Sequence, residues 1–510
     1  MLPHSVIRRK ACITIQSRNL TTTVRKRSLV STQIETAKAF SVPLSIADIH
    51  LRHEQLPFAY FFNEILQAQE LETTFAQVLK HFPTAGGNLI NYQRIHCSAD
   101  DTVPLTFADM DITLDEWLSV HRGHLHQAGH GRHPTLLPLF DPLFETNTAS
   151  GSGSQDGNES FENLMTARVT YFADNSGTAL TINSNHLLGD TASCLQLVEC
   201  WGKAYSQETF GVPCLDRSAV SCIGMMTPDV VDLLGINVGQ KKNKHSYSWF
   251  SGWFDELAEK ERDTSSTGES SLLPLTHHEY VPLAFPSKVL IAMKAHGMKT
   301  CKTTSSNNKY VSTNDMVMAV AWLLKRSLSK DHDSNLSVVV NLRGRCGVSV
   351  FDEESAKSGL FGNGITNVIA ELAPSTHDGE IAISNVSTAA QAIRQAILRG
   401  LEDIPHRLAQ SRRGRPVPTA RSSVGIFSTT SWSQLSPRDI SFSPTSPLVS
   451  FHGQPSHPLP TGRTFTSVIH SDLKHRGLTV ELFLPTDEVH EANRLHAQIC
   501  ELFLEWDSEE

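Results

Sequence analysis

Short β-rich runs and amphipathic helical segments alternate along this chain, on both sides of an aperiodic stretch near its middle. In the first half, ARVTYFADNSGTALTIN predicts two strands joined by a turn, and DTASCLQLVECWGKAY predicts the helix that follows them. In the second half, STNDMVMAVAWLLKR predicts a helix with a capping box formed by Ser312 and Asp315, and LSVVVNL predicts a buried strand. Because 510 residues exceed what one hydrophobic core usually supports, we predict a mixed α/β fold of two similar halves.

Composition suggests where these halves begin and end. The stretch 226–295 contains a segment that is rich in Ser, Gly and charge and lacks apolar periodicity, which is typical of a partly disordered linker. We therefore predict an N-terminal domain over 35–225, a crossover over 226–295 and a C-terminal domain over 296–510. A second Ser/Gly-rich stretch, Asn147–Ser160, predicts a surface loop.

The first 34 residues contain five arginines, two lysines and no acidic residue, and two interpretations of them stay open. One is a solvated basic arm with a strand in ACITIQSRNL, and the other is the transit peptide of a mitochondrion or plastid. The nine cysteines form no CxxC pair and are odd in number, which favours a reducing compartment such as the cytoplasm. The apolar run Met316–Leu324 is far shorter than the ~20 residues of a membrane helix, so no transmembrane segment is predicted.

Several function classes lack support in the sequence. There is no GxSxG motif, no P-loop and no convincing GxGxxG, so hydrolase, kinase and dinucleotide-binding chemistry are not indicated. The net charge of -9 argues against general nucleic-acid binding, and an anionic ligand would have to meet local basic groups.

The segment SNHLLGDTAS places His186 and Asp190 four residues apart, where a predicted strand ends and a helix begins. A histidine there could act as a general base near neutral pH. Spacing alone leaves three interpretations open: a base with its support, half of a metal site, or two polar residues of a turn. Nothing nearby supplies further ligands at metal-site spacing, so no metal is predicted. Gly189 is expected to allow a tight or left-handed turn.

Segments in order along the chain resemble the motifs of the BAHD acyltransferases. NHLLGD resembles their HxxxD motif, and VPLSIADIHL resembles their LSxxD element. LKHFPTAGGNL resembles their helix that is followed by a segment ending in AGRL. VSTNDMVMAVAWLLKR resembles their helix beginning S-T-x-D, SVVVNLRGR their strand ending in D-x-R-x-R, GLFGNGITN their Y-F-G-N element, and STTSWSQL their T-S-W segment. These ordered matches run from residue 42 to about residue 435, so the resemblance is far more specific than HxxxD alone.

The resemblance implies two chloramphenicol-acetyltransferase-like domains, each a mixed sheet with flanking helices, joined by a long crossover. It implies an active site at their interface, in a channel that the two substrates enter from opposite faces. The implied reaction moves an acyl group from acyl-CoA to a hydroxyl, or as second choice an amine, of a small molecule. It proceeds through a ternary complex without a covalent acyl-enzyme. Acyl-CoA would then be a co-substrate rather than a bound cofactor, and a monomer is expected.

The resemblance also implies roles for individual residues. His186 would be the general base, and Thr430 and Trp432 would stabilise the oxyanion of the tetrahedral intermediate. Core packing is the alternative for Trp432.

Three further residues receive supporting roles from the same resemblance. Asp190 would hold the turn through an ion pair with Arg343, with Arg345 as the second choice of partner. Ser312, which caps a helix, is a candidate contact for the phosphates of CoA because helix N-termini favour anions.

The sequence departs from the family in two places, and alternative functions stay open. Thr191 replaces the glycine that usually follows the aspartate. The D-F-G-W-G motif survives only as VSFHGQPSHPLP, Val449–Pro460, which we interpret as a diverged loop, with DISF as a poorer candidate. One alternative is a condensation- or carnitine-type acyltransferase, although Asn185 stands where condensation domains usually carry a second histidine. The other is a non-catalytic acyltransferase-like binding protein.

Overall fold

A computed structural model describes most of the chain. The described residues are 22–33, 39–45, 48, 55–90, 94–119, 143, 163–217, 278–303, 310–329, 335–343, 359–372, 382–411, 427–435, 440–443, 448–453, 466–471 and 477–509. The strands are β1 (Thr22–Ser31), β2 (Phe40–Pro43), β3 (Gln55–Phe62), β4 (Asn88–Ile90), β5 (Arg94–Cys97), β6 (Thr102–Met110), β7 (Met165–Tyr171), β8 (Thr178–Asn185), β9 (His278–Phe285), β10 (Leu336–Asn341), β11 (Ile365–Ala370), β12 (Phe427–Ser431), β13 (Leu448–Gly453), β14 (Thr466–Ser471) and β15 (Leu478–Pro485). The principal helices are α1 (Ala68–Leu79), α2 (Thr191–Tyr205), α3 (Ser287–Thr303), α4 (Thr313–Ser329), α5 (Ile383–Ser411) and α6 (Val489–Glu509).

The strands form two six-stranded sheets and one small sheet. The first sheet has the order β1-β6-β7-β8-β3-β13, and β6 and β7 are its parallel pair. The second has the order β11-β10-β12-β14-β15-β9, with β12 parallel to both of its neighbours. β2, β5 and β4 form the small sheet. The mixed α/β architecture with two sheet-containing halves, expected from the alternating pattern, is therefore confirmed.

The first sheet is held in place by α1 and α2, which pack on one of its faces. The rings of Phe75 and Trp201 stack with centroids 4.2 Å apart, and Trp201 Nε1 donates a hydrogen bond of 3.1 Å to the Leu71 carbonyl. Burying an aromatic ring of this size with its polar atom satisfied contributes several kcal/mol. Because β8 is joined to α2 by one short connection, residues 186–190, this packing also fixes that connection.

The second sheet is anchored by α4, whose apolar run is buried against it. Trp322 is fully buried in the core that also contains Val338 of β10. The predicted capping box is present: the Ser312 N–H donates to Asp315 Oδ2 at 2.6 Å, and the Asp315 N–H donates to Ser312 Oγ at 3.1 Å. This helix begins where its sequence pattern predicts.

The ends of the predicted domains differ in detail from the structure. Residues 22–31, part of the suggested basic arm, form β1 and pair with β6 of the first sheet. Residues 278–295, part of the suggested crossover, belong to β9 and α3. The two Ser/Gly-rich stretches and residues 11–20 lie outside the described residues. No helix in the described ranges is long and apolar enough to cross a membrane.

The interpretation of Val449–Gly453 as part of a loop is wrong. These residues belong to β13, which pairs with β3 and so extends the first sheet with a strand from the second half of the chain. Phe451 stacks on Phe58 with ring centroids 6.0 Å apart. The segment therefore joins the two halves, and residues 454–460 lie outside the described part of the chain.

Candidate active site

His186 stands at the point where β8 leaves the first sheet. A short 3-10 turn, His186–Leu188, follows the strand directly, and the side chain of Asn185 accepts a 2.9 Å hydrogen bond from the Leu187 N–H. Leu187 and Leu188 are fully buried in the core, whereas His186 keeps 9% of its surface exposed. The strand and the two leucines therefore hold the turn, while the histidine lies at the edge of the core.

Gly189 is needed for close packing rather than for a left-handed backbone. Its φ of 166° and ψ of 170° are extended values that any residue adopts, so of the two expected alternatives, a tight or a left-handed turn, the left-handed one is wrong. A Cβ at this position would lie 2.6 Å from Cβ of Ser193 and 3.2 Å from the Gly362 nitrogen. A side chain would push the turn away from both neighbours.

Both carboxylate oxygens of Asp190 accept hydrogen bonds that hold the local structure. Oδ1 accepts the Ser193 N–H at 3.1 Å as the N-cap of α2, and Oδ2 accepts the Gly364 N–H at 2.9 Å. Arg343 donates to both oxygens, from Nη1 at 2.6 Å and from Nη2 at 3.1 Å. Burial by itself would raise the pKa of this carboxyl, but the Arg343 guanidinium and the backbone donors outweigh it and lower the pKa.

Arg343 connects the end of β10 to this turn. Beyond its bidentate pair with Asp190, its Nη2 donates to the carbonyls of Leu360 at 3.0 Å and Gly362 at 2.9 Å, and to Ser193 Oγ at 3.2 Å. Charge-assisted bidentate pairs fix direction as well as distance. The structure thus brings Asp190 and Arg343 together across the two halves, and Arg345 lies outside the described residues.

The imidazole of His186 is not held by the Asp190 carboxylate. Within the described part of the chain, the buried Nδ1 of His186 has no hydrogen-bond partner, and the Asp190 oxygens accept from the four donor groups given above. A relay of the Ser-His-Asp kind requires a carboxylate on that nitrogen. The His186 imidazole is therefore the side chain able to carry a proton, whereas the Asp190 carboxylate fixes the turn.

Thr430 and Trp432 stand at the end of β12 in the centre of the second sheet. Thr430 is half-buried and paired with Val468 of β14. Trp432 is 5% exposed, and its ring lies 5.7 Å from the ring of Phe58 on the first sheet. The contacts of Trp432 thus match the core-packing alternative, because the ring fills the junction between the two sheets.

Ser312 has its hydroxyl group engaged in helix capping. Its Oγ accepts the Asp315 N–H and a 2.9 Å hydrogen bond from Nη2 of Arg394, which also pairs with Asp315. The buried Asp315 carboxylate already lies at this helix N-terminus, where a phosphate would meet its charge. These contacts do not support a CoA phosphate at Ser312. Across the described ranges, no group of three or more His, Cys, Asp or Glu residues could hold a metal ion.

Two side chains that contact the turn, and a third that binds both of them, were not among the predicted site residues. Arg217 and Asn363 donate to carbonyls of the turn, and Asp48 pairs with Arg217. Asp48 and Asn363 belong to the LSxxD-like and Y-F-G-N-like elements, so the resemblance contained a signal for them. Arg217 carried no such signal, because it lies in an irregular segment after α2.

Comparisons with known proteins describe the chain as a whole. A family model described as "Transferase family" matches residues 20–493. The crystal structure of vinorine synthase is similar, with a TM-score of 0.61 and 17% identity over 92% of this chain and 96% of that one. TRI101 of F. sporotrichioides, complexed with coenzyme A and T-2, has a TM-score of 0.55 and 16% identity over 89% and 97%. TRI101 of F. graminearum with ethyl coenzyme A has a TM-score of 0.52 and 14% identity over 89% and 96%. No curated protein matches the chain by sequence.

Proposed function

Because the chain belongs to the BAHD-type Transferase family, whose model covers residues 20–493, it is an acyltransferase, and we propose that acyl-CoA is its donor. The presence of coenzyme A in the TRI101 structures, which share the fold, supports this donor. We propose the hydroxyl group of a small molecule as the acceptor, with an amine as the second choice. The co-substrate would bind and leave in each cycle.

In the proposed reaction, His186 removes the proton of the acceptor hydroxyl as its oxygen attacks the thioester carbonyl. The C–S bond then breaks, the acyl group stays on the acceptor, and the imidazolium returns the proton to the CoA thiolate. No covalent acyl-enzyme is needed. A positioned base contributes about 10²- to 10⁴-fold in rate, and holding both substrates in one ternary complex adds proximity.

The observation that carries this proposal is the position of His186. It follows directly on a buried strand, on a turn tied to the second half of the chain, and its neighbour Asp190 is engaged by Arg343. A general base must lie in a fixed place while leaving one ring nitrogen available to a substrate. A histidine that only filled the core would not require ties from both halves.

We propose that the Thr430 hydroxyl donates to the oxyanion of the tetrahedral intermediate. One such donor is worth about 3 to 4 kcal/mol when it is removed. Trp432 is proposed mainly to hold the end of β12 against Phe58, and its indole N–H is a second candidate donor. Replacing Trp432 by Phe keeps most of the ring and removes that N–H, so a loss of turnover without a loss of stability would favour the donor role.

The experiment is a CoA-release assay on the purified full chain with a panel of acyl-CoA donors, alcohols and amines. We expect acceptor-dependent release that falls by at least about 10²-fold in His186→Ala. His96→Ala is the matched control, because His96 lies in the small sheet with Nδ1 bonded to Ser41 Oγ at 3.1 Å. Equal release in the unaltered protein and His186→Ala would refute the role of the base.

The same assay separates the alternatives. Turnover with an acyl-carrier thioester or with carnitine, and none with free acyl-CoA and alcohols, would indicate a condensation- or carnitine-type enzyme. Saturable binding of acyl-CoA without turnover for any acceptor would indicate a non-catalytic binding protein. Asn185, whose side chain accepts the Leu187 N–H, is not free for catalysis in the way a second histidine would be.

A further inference from the structure

Among the described residues, two side chains donate to three consecutive carbonyls of the turn that carries His186. Nδ2 of Asn363 donates to the His186 carbonyl at 2.8 Å. Nη1 of Arg217 donates to the Leu187 carbonyl at 2.9 Å, and its Nη2 donates to the Leu188 carbonyl at 2.6 Å. Carbonyls at the end of a short turn have no helical partner, so buried donors are needed to satisfy them.

Both donors converge on one carboxylate, that of Asp48. Its Oδ1 accepts from Nδ2 of Asn363 at 2.7 Å and from the Asn363 N–H at 3.3 Å. Its Oδ2 pairs with Nη1 of Arg217 at 3.0 Å and accepts the Ser45 N–H at 2.7 Å. The exposed fractions of Asp48, Arg217 and Asn363 are 0%, 1% and 0%. We refer to these three residues as the carbonyl clamp.

The carbonyl clamp is separate from the ion pair of Asp190 and Arg343. That pair fixes the N-cap of α2, which follows the turn, whereas the clamp holds the peptide groups of the turn itself. Its members come from the N-terminal segment, from the segment after α2 and from the second half of the chain. A buried ion pair adds little net stability compared with apolar packing, so stability alone does not explain this network.

The hydrogen bond from Asn363 to the His186 carbonyl matters most for the position of the imidazole, because it acts on the residue that carries the ring. If the Asn363 amide is removed, the His186 peptide can rotate, and the Cβ and ring move with it. A displacement of about 1 Å in a reacting group can cost about 10²-fold in rate. Arg217 has the corresponding effect on the next two peptides.

We propose that Asp48, Arg217 and Asn363 are positioning residues for acyl transfer, which set where the His186 imidazole meets the acceptor. This inference rests on the proposed function of His186 as general base. Asn363 and Arg217 act through the carbonyls of the turn His186–Leu188, and Asp48 acts through these two donors. None of the three touches a reacting atom, so their loss is expected to lower kcat rather than weaken the binding of acyl-CoA.

The test compares Asn363→Ala with a control variant in β8, the strand that ends directly before His186. Asn363→Ala removes the donor to His186 but leaves the charges of Asp48 and Arg217 paired, so the variant is expected to fold. The control is Thr178→Val, in which a buried hydroxyl loses a 2.7 Å bond to the Glu64 carbonyl and a 3.1 Å bond from the Leu66 N–H. Thr178 begins β8, roughly 25 Å along the strand from its catalytic end.

We expect kcat to fall about 10- to 100-fold in Asn363→Ala, with the KM for acyl-CoA changed by less than about threefold. Thr178→Val should lose a similar amount of thermal stability and keep its kcat. Equal kcat values in the two variants at a temperature where both are folded would overturn the inference, as would a loss confined to KM.

A second readout does not depend on turnover. In protein labelled at the histidine rings, the His186 resonance is assigned by its absence in His186→Ala. We expect the chemical shift of this resonance to change in Asn363→Ala and to stay unchanged in Thr178→Val. An unchanged His186 resonance in folded Asn363→Ala would overturn the clamp even if the unaltered protein showed no acyl transfer. Failure of the proposed function would instead appear as no turnover in the unaltered protein.

Discussion

Replacing Asp190 by Asn tests whether this residue acts in chemistry or in structure. The substitution changes one carboxylate oxygen to an NH₂ group and keeps the shape of the side chain. The remaining Oδ1 can still accept the Ser193 N–H, so the cap of α2 survives. The new NH₂ group faces the Gly364 N–H and Nη1 of Arg343, which are both donors. The variant therefore loses the ion pair and gains two donor-to-donor contacts.

The magnitude follows from the burial of the pair. Removing one partner of a buried ion pair costs about 3 to 5 kcal/mol. Arg343 keeps 15% of its side chain exposed and retains the Leu360 and Gly362 carbonyls as acceptors, which favours the lower end. We expect a loss of about 3 kcal/mol in the free energy of unfolding. For a domain of this size, that loss lowers the Tm by about 6 to 12 °C.

The assay combines calorimetry with turnover measured well below the lowered Tm. We expect Asp190→Asn to keep kcat within about tenfold of the unaltered protein, since its carboxylate does not hold the His186 ring. A relay carboxylate would cost about 10⁴-fold in kcat. A variant with unaltered melting and no turnover would refute the structural role. In a double-mutant cycle with Arg343→Gln, a coupling energy of at least about 1 kcal/mol is expected.

The effect of Asp190→Asn on the free energy of unfolding is expected to depend on pH. Because the pKa of Asp190 is lowered in the folded protein, the unfolded chain takes up this proton first as the pH falls. The contribution of the carboxylate is thus complete above the unfolded value of about 4 and is lost as the pH falls through the folded pKa. The difference in unfolding free energy between the unaltered protein and Asp190→Asn should be constant above pH 5 and should narrow below pH 4.

Three further predictions concern other parts of the molecule. Thr430→Val should lower kcat by about 10²- to 10³-fold with little change in Tm, and unchanged kcat would remove its proposed role. Gly189→Ala should cost about 1 to 3 kcal/mol and reduce turnover, since the new Cβ meets Ser193 at 2.6 Å; calorimetry and CoA release measure both. Burial lowers the pKa of His496 to about 4, so the unfolded chain is protonated first and stability falls between pH 6.5 and pH 4. At pH 5 this loss reaches up to about 2 kcal/mol, and denaturant unfolding of His496→Gln should show a correspondingly smaller loss.

Elements with a strong local pattern were predictable from the sequence. The apolar stripe and the pair Ser312 and Asp315 mark the start of α4, and the runs around the Asp174 turn mark β7 and β8. The segment DTASCLQLVECWGKAY marks α2, and the structure has Asp190 as its N-cap. Each of these signals lies within a few residues of the element that it predicts, because burial and capping act over one turn of helix or one strand.

Long-range pairing was not predictable in the same way. Nothing in the sequence around Phe451 indicates that it pairs with Tyr60 of the first sheet, and the segment was interpreted as a loop. Because the D-F-G-W-G motif is incomplete here, the segment suggested a diverged loop. Its main chain nevertheless forms the edge strand of the first sheet. Strand pairing depends on hydrogen bonds between main-chain groups, which tolerate many side chains.

The same distinction between local signals and long-range pairing applies to the candidate site. The sequence by itself determined that His186 and Asp190 lie on a connection between a strand and a helix, and the ordered motifs indicated Arg343 as a partner. Only the tertiary structure decided that Asp48, Arg217 and Asn363 meet beneath that turn, across separations of up to 315 residues. Local patterns record which face of one element is buried. Which polar groups share that buried space depends on how the elements of both halves pack, and that is set by the whole chain at once.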